Sequence, residues 1–403
     1  MRLTREEEAA LRGNRGPAAR KAMEIVVALG EVYGAEELVP VSSVQVAGVS
    51  YGNIGQAGLE FLSEWAQQGA RVVVPTTLNP AGMDLEAWQE LGIPEAYALS
   101  QLEVTEAYRD MGITISCSCT PYLVGNSPAL HEHVAWSESS AVSYANSVLG
   151  ARTNREGGPS ALAAAITGRT AKYGLHLEQN RQARLVVEAA CALRSLADFS
   201  ALGYMVGQRT ADRVPYFRLN AGVRPGPDEL KALGAAMAAS GAVALYHVQG
   251  VTPEARLRDV LATDAEVINI ESLEEGYESL DGSQRDIDLV WIGCPHASLA
   301  EIEHVADELA GRRLKARLWI TAARDVLNAA KSRRLTDRIE GCGGRIVADA
   351  CLIGAPLREL NITSVATNSG KGTFYLRSHQ GLQVRFGSLV QCVECAVAGR
   401  WLA

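Results

Sequence analysis

Three cysteines in the chain each follow an apolar run that is typical of a buried strand. The runs cover residues 113–119, 289–294 and 345–351, and they end at Cys119, Cys294 and Cys351. Ligands of open α/β sheets bind beyond the carboxyl ends of the strands. Three thiolates at such a site would leave one ligand position of a cluster open for substrate. This pattern favours an iron–sulfur cluster that acts as a Lewis acid. The alternative for any one of them is a packed thiol, since cysteine is among the most buried residue types.

The remaining cysteines are weaker metal-ligand candidates. Cys117 is expected on the opposite face of the first run, because side chains alternate along a strand. Cys191 and Cys342 are assigned to packing, the first in a helix and the second near a glycine-rich turn. Cys392 and Cys395 form a lone C-x-x-C pair, which we place in a terminal helix.

The histidines offer one candidate. His131 and His133 flank a glutamate, but Pro128 predicts a helix start there, and two such histidines diverge on a helix, so zinc is not expected. His296 lies beside Cys294 and could serve as an acid or as a hydrogen-bond donor to a cluster. A plain turn histidine is the alternative.

Two segments could bind an anion. The first, 48–55, is rich in glycine and precedes a predicted helix, so its backbone N–H groups could form an anion cradle. The second, 368–372, carries Lys371 as a point charge, although it lacks the spacing of a Walker loop. Ordinary turns are the alternative for both.

Around these residues the sequence predicts an α/β fold. Thr4 and Glu7 form a capping box before a first short helix. A strand at 70–74 should lead into a ligand loop at 76–84, and 183–205 resembles a long core helix. After a linker at 220–228, strands at 242–247, 288–293, 315–321, 344–349 and 363–367 alternate with helices at 228–240, 252–261, 298–310 and 322–331. This alternation predicts parallel sheets covered by helices. We expect two domains, 1–222 and 223–403.

Composition and charge indicate the cellular compartment and argue against some classes of binding partner. The chain has 403 residues, and its 38 basic and 46 acidic side chains give a net charge of −8. That charge argues against nucleic acid or an anionic membrane as a partner. The charged N-terminus is unlike a signal peptide, and no apolar stretch is long enough to span a membrane. We therefore expect a cytoplasmic protein whose thiols stay reduced.

Several longer motifs resemble the aconitase X family. They are Cys119-Thr-Pro-Tyr, the blocks at 133–140 and 145–159, residues 170–176, Gly293-Cys-Pro-His-Ala-Ser and residues 368–371. The resemblance implies an aconitase-like multi-domain large subunit that works with a separate small swivel-domain subunit as a heterodimer. It also implies that Cys119, Cys294 and Cys351 hold an oxygen-sensitive iron–sulfur cluster. We expect a 4Fe–4S cluster, with 3Fe–4S and 2Fe–2S as alternatives. The third cysteine departs from the family pattern, because alanine precedes it where threonine is usual.

The resemblance further implies dehydration of a small anionic hydroxy acid. One branch converts phosphomevalonate to an anhydro product in a mevalonate pathway variant, and another acts on cis-3-hydroxyproline. Gln45 is similar to the first branch, whereas histidine is usual in the second. A non-catalytic iron or redox sensor is the third hypothesis. The substrate-pocket residues that the resemblance implies are Gly48, Val49, Ser50, Asn79, Pro80, Glu138, Ser139 and Lys371.

Catalysis needs a base, which the resemblance places on a serine of the small subunit. Within this chain Glu138, adjacent to Ser139, is the candidate acid or base. The alternative is a structural Glu138 paired with Arg152 or Arg155.

Overall fold

The computed structural model describes residues 1–402. Their strands form sheets of two, three, four and five strands. The two-stranded sheet is antiparallel, and the strands of the three larger sheets pair in parallel. Helices cover these sheets, so the predicted α/β class with helix-covered parallel sheets is confirmed.

The first part of the chain builds the three-stranded sheet A, in the order β3-β2-β4, and the small pair β1-β5. Its strands are β1 (Leu38–Pro40), β2 (Val44–Val46), β3 (Thr76–Leu78), β4 (Ala135–Trp136) and β5 (Arg169–Ala171). Its helices are α1 (Arg5–Leu11), α2 (Pro17–Val32), α3 (Tyr51–Gln67), α4 (Glu95–Asp110), α5 (Ser139–Tyr144) and α6 (Gly158–Thr167). The capping box predicted before α1 is present, with the Thr4 hydroxyl accepting from the Glu7 N–H.

One predicted strand of this part is wrong. Residues 70–74 are irregular, and the strand is β3, inside the segment predicted to be a loop. The N–H groups of Val72 and Val73 donate to the carbonyls of Met111 and Ala165, which belong to a helix end and a helix. The apolar run therefore bonds to carbonyls of the helical segments instead of joining the sheet, and Val73 is half exposed.

The second part builds the four-stranded sheet B, in the order β8-β7-β6-β9. Its strands are β6 (Ala183–Ala189), β7 (Pro215–Leu219), β8 (His247–Val248) and β9 (Leu261–Ile270). Its helices are α7 (Leu196–Thr210), α8 (Pro227–Gly241), α9 (Pro253–Leu257) and α10 (Glu274–Leu280). The linker predicted at 220–228 is a loop between β7 and α8. Sheet B contains strands from both sides of it, and the division of the chain at residue 222 remains a prediction.

The long helix predicted at 183–205 is wrong. Its first third is strand β6, in which Leu185 and Val187 are buried while Arg184 is exposed. Val186 is buried as well, so β6 is one short apolar run, and periodicity alone does not distinguish such a run from a segment of a buried helix. A separate helix, α7, then starts at the Ser195 cap, whose hydroxyl accepts from the Asp198 N–H.

The third part builds the five-stranded sheet C, in the order β12-β11-β10-β13-β14. Its strands are β10 (Leu289–Ile292), β11 (Arg317–Ala322), β12 (Arg345–Ala348), β13 (Ser364–Thr367) and β14 (Gln383–Phe386). Its helices are α11 (Leu299–Leu309), α12 (Arg324–Ser332), α13 (Leu335–Cys342), α14 (Gly370–Ser378) and α15 (Leu389–Ala398). The strands predicted at 288–293, 315–321, 344–349 and 363–367 match β10 to β13 within two residues at each end.

The strand order of sheet C creates a topological switch point. The chain moves outward from β10 through β11 to β12, and then returns to β13 on the other side of β10. Crevices at such points, beyond the carboxyl ends of the strands, are the usual ligand sites of open α/β sheets. Cys294 follows β10 and Lys371 follows β13, so both lie at this point.

An apolar cluster joins the first and third parts beside that crevice. Met83 and Ile93 from the first part pack with Trp291, Val347 and Leu352 from the third. Burial of each such aliphatic side chain contributes about 1.5–3 kcal/mol, so the two edges face one another in a fixed arrangement. No helix within residues 1–402 is long and apolar enough to cross a membrane.

Candidate active site

A cavity of about 370 Å³ lies between the carboxyl edges of sheets A and C. Sheet A contributes residues that follow β3 and β4, and sheet C contributes residues that follow β10, β12 and β13. Nine of the predicted site residues line the cavity, namely Ser50, Asn79, Pro80, Cys119, Glu138, Ser139, Cys294, Cys351 and Lys371. Ser50 and Lys371, which are 371 − 50 = 321 positions apart in the sequence, are thus brought to one place by the facing sheets.

The loop at 48–50 presents free backbone donors. Gly48 and Val49 do not line the cavity themselves, but they lead directly into Ser50, which does. The Gly48 carbonyl accepts from the Tyr108 hydroxyl at 3.1 Å, and the Val49 carbonyl accepts from the Gln101 amide at 2.8 Å. In a planar trans peptide the following N–H points the opposite way. The N–H groups of Val49 and Ser50 therefore point away from these partners, and they find no acceptor within residues 1–402.

Cys119 does not end a regular strand, contrary to the prediction. Within its run only Thr114 forms a bridge, with Thr77, and the Ser118 N–H donates to the Leu78 carbonyl. The segment nevertheless follows the edge of sheet A, which carries Cys119 to the cavity. Burial raises the pKa of the Cys119 thiol to about 12, although the charge of Lys371 acts in the opposite direction. Cys117 is buried in the core of the first part.

Cys294 and Cys351 reach the cavity from β10 and β12 of sheet C, as predicted. Burial raises the pKa of both thiols, and the Lys371 ammonium opposes this in each case. All three cysteines are free. They affect one another electrostatically, since the charge of Cys351 would raise the pKa of the other two.

His296 links the three cysteine-bearing segments. Its backbone N–H donates to the Cys119 sulfur at 3.2 Å. Its Nε2 lies 2.8 Å from the Ala350 carbonyl, which can only accept, so Nε2 carries the proton and Nδ1 is left to accept from the Ser118 hydroxyl at 3.3 Å. Burial lowers the pKa of His296 to about 4, so the ring is neutral at physiological pH. His296 thus joins the three segments through hydrogen bonds as a neutral residue, and it is not a plain turn histidine.

Glu138 and Lys371 form an ion pair across the cavity. Glu138 caps α5 after β4, and the Lys371 ammonium bonds to its Oε1 and to the Ser140 hydroxyl at 3.0 Å. Burial raises the pKa of Glu138, but the charge and hydrogen bond of Lys371, with the hydrogen bond of Asn79, lower it to about 2. Glu138 is therefore the structural partner of Lys371. The expected alternatives are not its partners, since Arg152 pairs with Glu178 and the Arg155 side chain makes no ion pair within residues 1–402.

Gln45 organises the sheet A wall of the cavity. It is fully buried in β2, and its Oε1 accepts from the Glu138 N–H at 3.0 Å. Its Nε2 donates to Asn79 Oδ1 at 3.3 Å and to the Ser118 carbonyl at 3.2 Å. Asn79 in turn donates to Glu138 Oε2 at 2.9 Å. A single amide therefore holds Glu138, Asn79 and the segment that precedes Cys119.

A second junction fixes the loop of Cys351 against sheet A. The Cys351 N–H donates to the Ala81 carbonyl at 2.9 Å, and the Ala81 N–H donates to the Asp349 carbonyl at 2.8 Å. Arg324 pairs with both Asp349 and Asp84 beneath this bridge. Burial raises the pKa of Asp349 to about 6, although Arg324 opposes this. The aspartate before the third cysteine therefore anchors its loop, while the unusual alanine only fills a buried position.

The cavity also contains residues that the sequence analysis did not assign to the substrate pocket or to the metal site. Arg155, Tyr375 and His379 line it together with Asn53 and Trp291. Arg155 lies within the motif at 145–159, and it had been named only as a possible partner of Glu138. Tyr375 and His379 follow Lys371 by one and two turns of α14, so helical spacing from Lys371 would have identified them.

The other histidines and cysteines lie outside the cavity. No helix starts at Pro128, and His133 instead forms a bridge with Arg152 and a 2.8 Å contact with His176. Cys191 follows β6 in a core cluster, not in a helix as predicted, and Cys342 packs in another core cluster. Cys392 and Cys395 lie in the predicted terminal helix, α15.

The donor set fits an iron–sulfur cluster. Three cysteine sulfurs line one cavity, and one of them already accepts a backbone N–H bond of the kind that tunes ligating thiolates. No three His, Cys, Asp or Glu side chains within residues 1–402 are arranged to bind one metal ion. A cluster differs from a single ion because separate irons bind separate thiolates. Burial raises the pKa of all three thiols, and iron bound there would favour their thiolate forms.

Family models match almost the whole chain. The Aconitase X first domain matches residues 1–179, the second domain matches 183–278 and the third matches 287–398. The chain belongs to the aconitase X family. This aconitase X chain also has the fold of the crystal structure of Thermococcus kodakaraensis aconitase X in its holo form, with a TM-score of 0.91 and 48% identity. The alignment covers 98% of this chain and 100% of that one.

Curated aconitase X relatives carry two names. A phosphomevalonate dehydratase large subunit from Methanocaldococcus jannaschii is 47% identical, over 98% of this chain and 100% of the relative. The one from Methanothermobacter thermautotrophicus is 49% identical, over 97% and 98%. A cis-3-hydroxy-L-proline dehydratase from Pseudomonas aeruginosa is 37% identical, over 99% of this chain but 70% of the relative. Both groups are dehydratases, so this chain is an enzyme of the hydro-lyase class, and no such relative supports a non-catalytic sensor.

Proposed function

We propose that this chain is the large subunit of a phosphomevalonate dehydratase that forms anhydrophosphomevalonate. The observation that carries the proposal is the difference between the two groups of relatives. Those named for phosphomevalonate match at 39–49% over 97–100% of their own length, whereas those named for cis-3-hydroxyproline match at 34–37% over 69–70% of theirs. Gln45 supports the same choice. A histidine there has two ring nitrogens, too few to reproduce the three contacts of the amide.

We infer that Cys119, Cys294 and Cys351 hold the iron–sulfur cluster, with 4Fe–4S the expected type. Enzymes of the aconitase type use such clusters. The cavity brings the three sulfurs together, and the His296 N–H donates to one of them. A cluster iron that lacks a fourth protein ligand would supply Lewis acidity toward the departing hydroxyl.

The chain's own residues bind and orient the substrate. Two of the three N–H groups of the Lys371 ammonium are used by Glu138 and Ser140, so one remains for a substrate oxygen. Ser139 lines the cavity and donates to Glu138 at 3.1 Å, which fixes its hydroxyl. The free N–H groups of the 48–50 loop offer a further anion contact beside Ser50.

The base that removes the carbon-bound proton is expected on a small subunit. Glu138 is ionised but has a pKa of about 2 and accepts several hydrogen bonds, so it binds a proton too weakly to act as an efficient base near neutral pH. The relatives of equal length are named large subunits, which supports a separate partner for this chain.

The test is an anaerobic assay of the two-subunit complex with phosphomevalonate and with cis-3-hydroxyproline at equal concentrations. We expect turnover of phosphomevalonate, and mass spectrometry should detect the anhydro product as it forms. Gln45→His is a matched variant, because it introduces the residue that is usual in the other branch. Faster turnover of cis-3-hydroxyproline by the unmodified complex would replace the proposed substrate with that alternative.

A further inference from the structure

The charges that line the cavity do not balance the proposed substrate. Phosphomevalonate carries a carboxylate and a phosphate, and a phosphate ester has about −1.5 to −2 charge near pH 7. The buried Lys371 ammonium is already compensated by the Glu138 carboxylate, so this pair contributes no net charge. His296 is neutral. Among the side chains that line the cavity, a second cation would therefore be the natural partner of the substrate's remaining charge.

Arg155 is the cavity-lining cation without a compensating partner. Its side chain is exposed, and within residues 1–402 it forms neither an ion pair nor a hydrogen bond. Its backbone is held in place by a bridge to Trp136 in β4, two residues before Glu138. The side chain therefore projects from a fixed position beside the Glu138 wall of the cavity.

Neighbouring charges do not neutralise Arg155. The adjacent carboxylate, Glu156, points into the protein, where it accepts from Ser160 at 2.6 Å and from Thr170 at 2.9 Å. The carboxylate of Glu178 is paired with Arg152 instead of with Arg155. Arg155 thus keeps a planar set of donors free, and this geometry matches two oxygens of a phosphate or carboxylate.

Substrate chemistry decides which anion reaches it. The departing hydroxyl of phosphomevalonate lies β to the carboxylate, so the carboxylate must stay near the reacting carbons at the buried, cysteine-lined end. The phosphate lies on the other side of the hydroxyl-bearing carbon. Exposed lining residues, namely Asn53, Arg155 and His379, mark the open end of the cavity.

Building on the proposed function, we propose that Arg155 binds the phosphate of the substrate and so determines the preference for a phosphorylated hydroxy acid. Lys371 then serves the buried end, where its remaining N–H meets the carboxylate or the hydroxyl. The free N–H groups of the 48–50 loop can share either anion, but they carry no formal charge, and so they cannot replace Arg155.

The test measures binding by calorimetry to the anaerobic two-subunit complex, with phosphomevalonate and mevalonate as ligands. The unmodified complex should bind phosphomevalonate more tightly. Arg155→Ala should weaken that binding by about 10- to 100-fold, as expected for a hydrogen-bonded charge, while the Kd of mevalonate changes less than about two-fold. Arg155→Lys should fall between, since it keeps the charge but loses the planar donor set. Arg256→Ala, which removes an exposed arginine outside the cavity, should leave both constants unchanged.

Three outcomes would overturn the assignment of Arg155. These are equal affinity of the unmodified complex for the two ligands, equal weakening of both ligands by Arg155→Ala, and no change in either. A failure of the proposed function is recognised separately, because it appears as absent dehydration of bound phosphomevalonate by the unmodified complex.

Discussion

Replacing Lys371 by methionine would leave a buried carboxylate without its cation. In the native protein the side chains of Lys371 and Glu138 are only 6% and 14% exposed, so neither charge is well solvated. Methionine has a similar length and no charge. Breaking a buried ion pair from one side typically costs about 3–5 kcal/mol.

The pKa of Glu138 supplies a second estimate of the same magnitude. Burial alone would raise it, yet Lys371 and the hydrogen bonds lower it from 4.5 to about 2. This difference of 4.5 − 2 = 2.5 corresponds to about 3 kcal/mol at 1.36 kcal/mol per pH unit. Because the pKa is lower in the folded state, the stabilisation is present above about pH 4.5 and is lost as the pH falls towards 2.

The measurement is urea unfolding of the anaerobically purified chain at pH 7, followed by tryptophan fluorescence. We expect Lys371→Met to lower the free energy of unfolding by about 3 kcal/mol. Adding Glu138→Gln removes the stranded charge, so the double variant should recover about 2 kcal/mol of that loss. The exposed pair Arg20–Glu24 is the matched control, and the same cycle there should give a coupling below about 0.5 kcal/mol.

Additive losses at positions 371 and 138 would refute this reasoning. So would a coupling no larger than that of the control pair, because both results mean that the two charges are solvated separately. Unfolding of the native chain at pH 3 and pH 5 gives a further comparison. Glu138→Gln should lose less stability over this interval than the native chain does.

The remaining predictions concern the cluster and the partner. Serine in place of any one of the three cavity cysteines should abolish the iron and sulfide content of anaerobic preparations. The control variants Cys191→Ser and Cys342→Ser should leave that content intact. Full iron and sulfide content in a cavity variant would remove that cysteine from the ligand set. The isolated chain should turn over poorly and regain activity when a small subunit is added, and a rate on the order of 1 per second or more by the chain alone would contradict this. His296→Gln should speed the loss of iron, because it disturbs the hydrogen bonds of the His296 ring. The control His304→Gln, on the exposed face of α11, should not change iron loss. If His296→Gln retained iron normally but had a lower kcat, His296 would instead be a catalytic residue.

Sequence patterns determined the elements whose signals are local. Apolar runs at 289–292 and 345–348 are long enough, and bounded clearly enough, to indicate buried parallel strands. They therefore placed Cys294 and Cys351 at strand ends. The polar segment after β13 likewise indicated Lys371. Short strands were harder, because the three residues of β3 carry almost no periodicity, and the short apolar run of β6 was mistaken for part of a helix.

Only the tertiary structure decided which side chains meet. The Glu138–Lys371 pair joins residues 233 positions apart, and it exists because sheet A and sheet C face each other across the cavity. The same arrangement places the His296 ring between the segments of Cys119 and Cys351, and it leaves Arg155 at the open end without a counter-charge. Composition and spacing cannot specify such contacts, since electrostatic and hydrogen-bond energies depend on distances that are set by packing between distant elements.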